Sequence, residues 1–178
     1  MNIFCLDDDA EIAAKYNCNL HTSKIFLEIC QMLTYIVPDD MLKFAPRTQS
    51  GEIRTKTKTH YNHPVSKFVR HNTGNMWWTI QHAYYLDEER IWRSHHTKDA
   101  HFSKTFLDWF VKNVDRFDIL DGERTDFAVA INEKCNCRKV PHFDNISTVE
   151  KYRLYYRHDK PFAKWGRRGA PEWFIENK

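Results

Sequence analysis

A stripe of apolar positions at helical spacing follows Thr22 and is the clearest pattern in the chain. Its side chains recur at intervals of three and four residues, which places them on one face of an α-helix. They are Ile25, Ile29, Met32, Leu33 and Ile36. Pro38, followed by two aspartates, predicts the end of that helix. The stretch therefore predicts one long helix with a continuous apolar face.

Five other segments carry helical signals of their own. The acidic run at residues 7–9 supplies N-cap candidates for a helix over 10–17, and Ser147-x-x-Glu150 is the capping-box signature of another. Three more helical segments begin near Pro64, span 76–92 and span 103–114, with Gly74 as the break between the first two. Together these patterns predict a mainly α fold.

Four segments lack helical periodicity. The apolar start at residues 3–6 is compatible with a strand or an extended lead-in, and residues 127–131 with a strand or a buried helical turn. Residues 43–61 predict a long basic loop, in which a short strand or hairpin is an alternative. Residues 161–174 predict an irregular aromatic segment near the C-terminus, because glycine and proline interrupt it.

Composition predicts one compact domain over residues 1–178. The chain is 42% hydrophobic and 15% aromatic, which is enough for a core, and its 5 glycines and 6 prolines leave little material for linkers. No stretch approaches the roughly 20 apolar residues of a membrane span. The start, MNIFCLDDD, lacks the layout of a signal peptide. We therefore expect a cytoplasmic protein without a membrane partner.

The five cysteines predict reduced thiols rather than a metal centre. Cys135 and Cys137 form Cys-x-Cys, and His142 follows. A structural zinc site usually takes four ligands, with pairs spaced by two to four residues. Three residues at this spacing indicate zinc only weakly, so we expect neither a metal nor another cofactor.

A polar ridge of His21, Lys24 and Glu28 lies beside the apolar stripe of the long helix. An imidazole, an amine and a carboxylate at such a boundary can shift one another's pKa and exchange protons with a substrate. These three residues are therefore catalytic candidates. The alternative is an ordinary helix boundary with a Lys24–Glu28 ion pair.

His63 and the two cations that follow it form a second candidate site. Pro64 suits the first turn of a helix, which puts His63 at its N-terminus with Lys67 and Arg70 on the same side. Backbone amides at a helix start favour phosphate, and nearby cations reinforce that preference. We expect His63 to act in catalysis and the two cations to bind nucleic acid; a simple capping turn is the alternative.

Cations interleaved with aromatic rings are typical of nucleic-acid-binding surfaces, where rings stack on bases and cations hold phosphate. The remaining candidates of this kind are Lys56, Lys58, Asn75, Trp78, Arg153, Tyr156, Lys160, Trp165, Arg167 and Arg168. For the tryptophans the alternative is a place in the core, and for the C-terminal segment it is a tail wrapped over the core.

Several motifs resemble small phage-encoded proteins. They are Asn2-Ile3-Phe4 with Leu6-Asp7, the ridge helix ending Gln31-Met32-Leu33, Asn62-His63-Pro64, and Tyr152-Arg153-Leu154-Tyr155-Tyr156 with Pro171-Glu172-Trp173. The layout is also similar to phage endonuclease V type pyrimidine-dimer DNA glycosylases. That resemblance implies base flipping, attack by an amine on the sugar carbon and a Schiff-base intermediate. It makes Glu28 the carboxylate and His21 a polar assistant, in a host-cell cytoplasm.

The sequence departs from that family at its second residue. The family uses the N-terminal amine that Met removal exposes, and removal normally requires a small second residue, whereas Asn2 stands here. Lys24 or Lys160 is then the candidate amine. We expect a DNA- or nucleotide-directed enzyme; the alternative is a non-catalytic phage accessory protein that binds nucleic acid or a host protein.

Overall fold

The computed structural model describes residues 1–56 and 58–175, and the protein is mainly α, as predicted. Its α-helices are α1 (Ala10–Tyr16), α2 (Asn19–Leu33), α3 (Asp39–Leu42), α4 (Pro64–Val69), α5 (Thr73–Arg93), α6 (Lys104–Asn113), α7 (Thr148–Asp159) and α8 (Glu172–Ile175). Short 3-10 turns occupy Lys58–His60, Val114–Arg116, Asn136–Lys139, Phe143–Asn145 and Gly166–Arg168. Within these ranges no residue is in a β-strand. Thr57 and residues 176–178, which belong to the predicted domain, lie outside the described part.

Helix α5 is the longest helix, and it packs most extensively against α1 and α2. The buried apolar side chains form one cluster that also takes in residues 3–6, so the chain start is a buried lead-in without a strand, and its backbone turns at Phe4, where φ is +50°. Arg93 near the end of α5 donates to the carbonyl oxygens of Lys15 (2.8 Å) and Asn17 (2.9 Å), which ties α5 to the end of α1. None of the described helices combines the length and apolarity needed to cross a bilayer.

The starts of α1 and α7 are found at their predicted caps. Asp9 caps α1, where one carboxylate oxygen accepts from the amides of Glu11 and Ile12, both at 2.9 Å. Ser147 Oγ accepts from the amide of Glu150 at 3.2 Å and caps α7. Only half of the predicted capping box is formed, because the Glu150 carboxylate accepts from Arg153 Nη1 at 2.8 Å instead.

Two helix boundaries differ from the sequence prediction. Helix α2 begins at Asn19 and ends at Leu33, so the apolar position Ile36 and Pro38 lie beyond it, and Pro38 instead precedes the short helix α3. Gly74 does not break a helix but lies in the first turn of α5, and the break falls at residues 70–72, where the Asn72 side chain accepts from the amide of Asn75 at 2.9 Å.

Residues 127–131 are neither a strand nor a helical turn. The hydroxyl of Tyr152 donates to the carbonyl oxygen of Ala128 and accepts from the amide of Ala130, both at 3.0 Å. One side chain of α7 thus supplies hydrogen bonds that a neighbouring strand would otherwise provide. The described part of the basic loop over 43–61 contains the 3-10 turn Lys58–His60 and no hairpin strands.

Candidate functional site

Glu28 lies on the edge of α2 with 16% of its side chain exposed, against the start of the chain. Its Oε2 accepts from the backbone amide of Asn2 at 2.8 Å, and its Oε1 lies 3.9 Å from Nζ of Lys24. Asn2 is fixed in turn, because its Oδ1 accepts from the amide of Ile3 at 2.8 Å and its Nδ2 donates to the carbonyl oxygen of Ala130 at 3.0 Å. The carboxylate is therefore held in a defined position beside an exposed amine.

His63 caps α4 and lies near Glu28. Its Nδ1 accepts from the amide of Val65 at 3.3 Å, so the neutral ring carries its proton on Nε2. Burial lowers the pKa of His63, as do the positive amino group of Met1 and His60, whereas the negative charge of Glu28 acts in the opposite direction. Of the four predicted catalytic residues, Glu28 thus lies beside Lys24 and within electrostatic reach of His63.

His21, the fourth, is built into the core. It is 2% exposed, its Nδ1 is hydrogen-bonded to the hydroxyl of Tyr156, and its ring stacks on Phe4 with the centroids 4.6 Å apart. Burial, followed by the charges of Lys160 and Lys24, lowers the pKa of His21 to about 3. The ring is therefore neutral at neutral pH and joins α2 to α7 instead of facing Glu28.

Four predicted nucleic-acid contacts are buried, namely Asn75, Trp78, Tyr156 and Trp165. Nε1 of Trp78 donates to the carbonyl oxygen of Asp8 at 2.7 Å, and Nε1 of Trp165 donates to that of Tyr16 at 2.8 Å. Both indoles are therefore anchors in the core, as the alternative interpretation expected.

Asn75 holds the irregular segment after α6. Its Oδ1 accepts from the amide of Thr125 at 2.8 Å, and its Nδ2 donates to the carbonyl oxygen of Phe68 at 2.9 Å and to Thr125 Oγ1 at 3.0 Å. All the hydrogen-bonding capacity of this side chain is used inside the fold, so it presents no polar group to a ligand in this conformation.

Two of the predicted arginines in the C-terminal region are engaged in ion pairs. Arg153 donates to Asp7 at 3.0 Å and to Glu150 at 2.8 Å. Arg168 makes a two-pronged contact with Glu89, with both N–O distances 2.6 Å. These contacts wrap the C-terminal segment over the core, and they leave neither guanidinium without a counter-charge.

Lys160 and Arg167 are held by aromatic residues. Lys160 Nζ donates to the hydroxyl of Tyr155 at 2.9 Å. Arg167 is exposed, with its guanidinium 4.3 Å from the ring centroid of Trp92 and Nη1 donating to the Trp92 carbonyl oxygen at 3.1 Å. Of the cations in this segment, Arg167 and Lys164 are solvent-exposed and form no ion pair with a described residue, and Arg167 is the one that was predicted as a contact.

The other predicted cations lie around α4 and the loop before it. Lys67 is exposed, and Lys56 pairs with Asp39 at 2.9 Å. The guanidinium of Arg70 stacks 3.9 Å from the ring centroid of Tyr61, and Nη1 donates to the Tyr61 carbonyl oxygen at 2.5 Å. Lys58 is exposed. Lys56, Lys58 and Tyr61 line a cavity whose wall ends at residue 62, directly before His63.

The structure adds residues that the sequence did not indicate as part of the site. Asn2 belongs to a motif of the resemblance, but no spacing rule connects it with Glu28, 26 positions away. His60 was missed because its link to His63, with ring centroids 6.5 Å apart, depends on the turn between them. Arg54 was visible as one cation of a basic cluster, and its burial gave no sequence signal.

Cys135, Cys137 and His142 do not assemble with other donors into a metal site. Among the described residues, no group of three or more His, Cys, Asp or Glu side chains is placed to hold a metal ion. Burial and the neighbouring Asp159 carboxylate raise the pKa of Cys137 to about 12, which keeps it a thiol. The backbone amide of Cys137 donates to Asp159 at 2.9 Å, so the turn serves to anchor α7.

The charged and titratable groups of the candidate site are the carboxylate of Glu28, the amine of Lys24 and the imidazole of His63.

No protein-family model, curated protein or solved structure matches this chain.

Proposed function

We propose that this protein is a DNA-directed enzyme of the glycosylase/lyase kind, with Glu28 as its catalytic carboxylate and an adjacent amine as its nucleophile. The supporting observation is the position of Glu28, held by the amide of Asn2 at 2.8 Å with its second oxygen 3.9 Å from the Lys24 amine. Amine and carboxylate side by side are what Schiff-base chemistry at a sugar carbon requires. His63 supplies a hydrogen-bond donor, Nε2–H, in the same neighbourhood.

The proposed reaction is simplest at an abasic nucleotide. Glu28 takes a proton from the Lys24 ammonium, and the neutral amine adds to the C1′ aldehyde of the open sugar. Loss of water then gives an iminium, with C1′ doubly bonded to nitrogen. The proton that Glu28 took leaves with this water, and the restored carboxylate then removes a C2′ proton, which expels the 3′ phosphate by β-elimination; hydrolysis of the product imine returns the amine. No redox partner is needed.

Five solvent-accessible or partly accessible cations supply the proposed backbone contact. They are Lys56, Lys58, Lys67, Arg70 and Arg167. Each phosphate contact releases counterions, so DNA binding should weaken steeply as the salt concentration rises. In a plot of the logarithm of the binding constant against the logarithm of the salt concentration, each contact to duplex DNA should add about −0.9 to the slope. Arg153 and Arg168 are excluded from this set because their carboxylate partners, Asp7 and Glu89, are mostly buried. Lys56 is kept although it pairs with Asp39, because that carboxylate is 86% exposed.

Borohydride trapping on an abasic duplex and on a dimer-containing duplex tests the proposal. The wild-type protein should form a covalent adduct, and peptide mapping should place it on Lys24. Glu28→Gln should abolish turnover with little change in Tm, since a Gln amide oxygen can still accept from the Asn2 amide. Glu11→Gln is the matched control, because Glu11 forms the same kind of four-residue pair with Lys15 on α1, at 2.6 Å.

Two results would refute the lyase chemistry. One is the absence of any adduct on both duplexes under turnover conditions. The other is an adduct that forms equally with Glu28→Gln and with Glu11→Gln. Trapping on another amine would keep the carboxylate role of Glu28 but remove Lys24 as the nucleophile.

A further inference from the structure

A cavity of about 590 Å³ opens between the segment that follows α2, helix α3 and the loop residues 53–56 and 58–62. Its volume falls within the range of about 300–1,000 Å³ that is usual for small-molecule sites. Tyr35 and Tyr61 contribute aromatic rings to its wall, and Leu42 and Ile53 contribute aliphatic surface. The two tyrosine rings meet edge to face, with centroids 5.4 Å apart.

Arg54 forms part of this wall and is 7% exposed. Its Nε donates to the carbonyl oxygen of Pro46 at 2.8 Å, and its guanidinium lies 4.7 Å from the ring centroid of Phe106. Its Nη2 is buried and has no hydrogen-bond partner in the part of the chain that the structure describes. A buried donor or cation without a partner is costly, and burial lowers the pKa of Arg54 accordingly. Arg54 also lines a second cavity, beside Gln31 and Ser103, and an anion that reached its guanidinium from the first one would offset this cost.

Three of the four other charged residues in the cavity wall have the same sign as Arg54. Lys43, Lys56 and Lys58 line the cavity together with one carboxylate, Asp39. Asp39 is paired with Lys56 at 2.9 Å. No described carboxylate lies within ion-pair distance of Arg54, Lys43 or Lys58, so the wall carries an excess of positive charge.

We propose that this cavity binds the phosphate-bearing part of a nucleotide, with Arg54 as its buried anion anchor. Lys43 and Lys58 add charge at the mouth, where both are exposed. Guanidinium and ammonium groups are the usual phosphate ligands, and Tyr61, which is exposed, provides an aromatic surface against which a base packs. The proposal does not depend on Schiff-base chemistry at Glu28.

Two ligands could supply this nucleotide, namely a free nucleotide and one nucleotide unit of a DNA strand. Asn62 lines the cavity, and the next residue, His63, begins the region around Glu28. A DNA strand bound beside His63 would therefore pass close to the phosphate-binding cavity.

Calorimetric titration with thymidine 5′-monophosphate tests the proposal. The wild-type protein should bind the nucleotide, inorganic phosphate should compete with it, and thymidine should bind at least about tenfold more weakly. Arg54→Gln and Lys58→Gln should each weaken nucleotide binding by about tenfold, the cost of one charge-assisted contact. Lys134→Gln, an exposed lysine outside the cavity wall, should leave it unchanged.

Lys58→Gln keeps the test valid if Arg54→Gln fails to fold, because Lys58 is exposed. A parallel titration with an eight-residue oligothymidylate identifies the source: markedly tighter binding than that of the mononucleotide assigns a strand, and equal or weaker binding assigns a free nucleotide. Binding of neither probe would overturn the proposal, as would binding that Lys58→Gln and Lys134→Gln weaken equally. Glu28→Gln should leave nucleotide binding intact, so failure of the lyase proposal and failure of this one are distinguishable.

Discussion

The imidazole of His21 and the hydroxyl of Tyr156 are hydrogen-bonded to each other inside the core, where they join α2 to α7. The Tyr156 hydroxyl gives its single proton to Oδ1 of Asn17, at 3.0 Å. We therefore assign the His21 proton to Nδ1, which donates to the tyrosine oxygen. Protonation of the other ring nitrogen would place a positive charge in a buried site beside Lys160 and Lys24, which explains why the pKa of His21 falls to about 3.

We expect the free energy of unfolding to fall as the pH is lowered from 6.5 towards 3, and His21 to carry part of that loss. In the unfolded chain His21 has its ordinary pKa of 6.5 and is protonated below that pH. In the folded protein its pKa is about 3, so the ring stays neutral down to that pH. The contribution of His21 to the free energy of unfolding is therefore complete above pH 6.5. It decreases as the pH falls below 6.5, by up to about 1.4 kcal/mol per pH unit for one such group. His82, whose pKa burial lowers to about 4, adds to the slope above that pH.

Urea unfolding at several pH values measures this slope. His21→Gln should roughly halve the slope between pH 6 and 4.5, because it leaves His82 as the main buried titrating imidazole. His71→Gln changes an exposed histidine and should not alter the slope. An unchanged slope in His21→Gln would show that His21 is accessible to protons in the folded protein.

Glu89 should be among the most destabilising positions to neutralise. It is 5% exposed and accepts from Arg93 at 2.7 Å as well as from Arg168. Although burial raises its pKa, the hydrogen bonds from Arg168 and Arg93 outweigh that effect and lower it overall. Replacement of Glu89 by Ala leaves the charge of Arg93 buried without a counter-charge, which should lower the free energy of unfolding by about 3–5 kcal/mol. Thermal unfolding should show a large fall in Tm, whereas Glu88→Ala on the same helix should change Tm little.

Gly74→Ala should destabilise the protein through a direct clash. A Cβ at this position would lie 2.3 Å from the amide nitrogen of Arg124 and 2.7 Å from the carbonyl oxygen of Gly122. Both are backbone atoms and cannot turn away as a side chain would, so we expect a cost of about 2 kcal/mol or more. Gly51→Ala, where nothing lies within 4 Å but φ is +83°, should cost about 1 kcal/mol. Equal losses in the two variants would mean that the segment over 122–124 moves aside.

The sequence predicted the helices well and the assembly of the site only in part. Caps such as Asp9 and Ser147 are local, and so is the four-residue spacing that brings Lys24 and Glu28 together. The contact between Glu28 and Asn2 and the burial of Trp78 depend on how distant segments pack, which residue spacing does not encode. Amphipathic boundaries also look alike whether a side chain faces solvent or a second helix, and for that reason His21 was grouped with Glu28.

Arg167 and Arg168 are adjacent but should respond differently to substitution, which separates DNA contact from folding. Arg168 is paired with Glu89, so Arg168→Ala should lower Tm by leaving a buried carboxylate with one fewer partner. Arg167 is exposed, and among the described residues only Trp92 holds it, so Arg167→Ala should leave Tm nearly unchanged. If Arg167 contacts a phosphate, its loss should weaken DNA binding on every sequence and reduce the log–log salt slope by about 1. Fluorescence anisotropy at several salt concentrations measures both quantities, and an unchanged slope in Arg167→Ala would remove Arg167 from the proposed DNA surface. Charge reversal of both arginines at once would confound the two effects, because the loss of the Glu89 pair would lower the folded fraction as well.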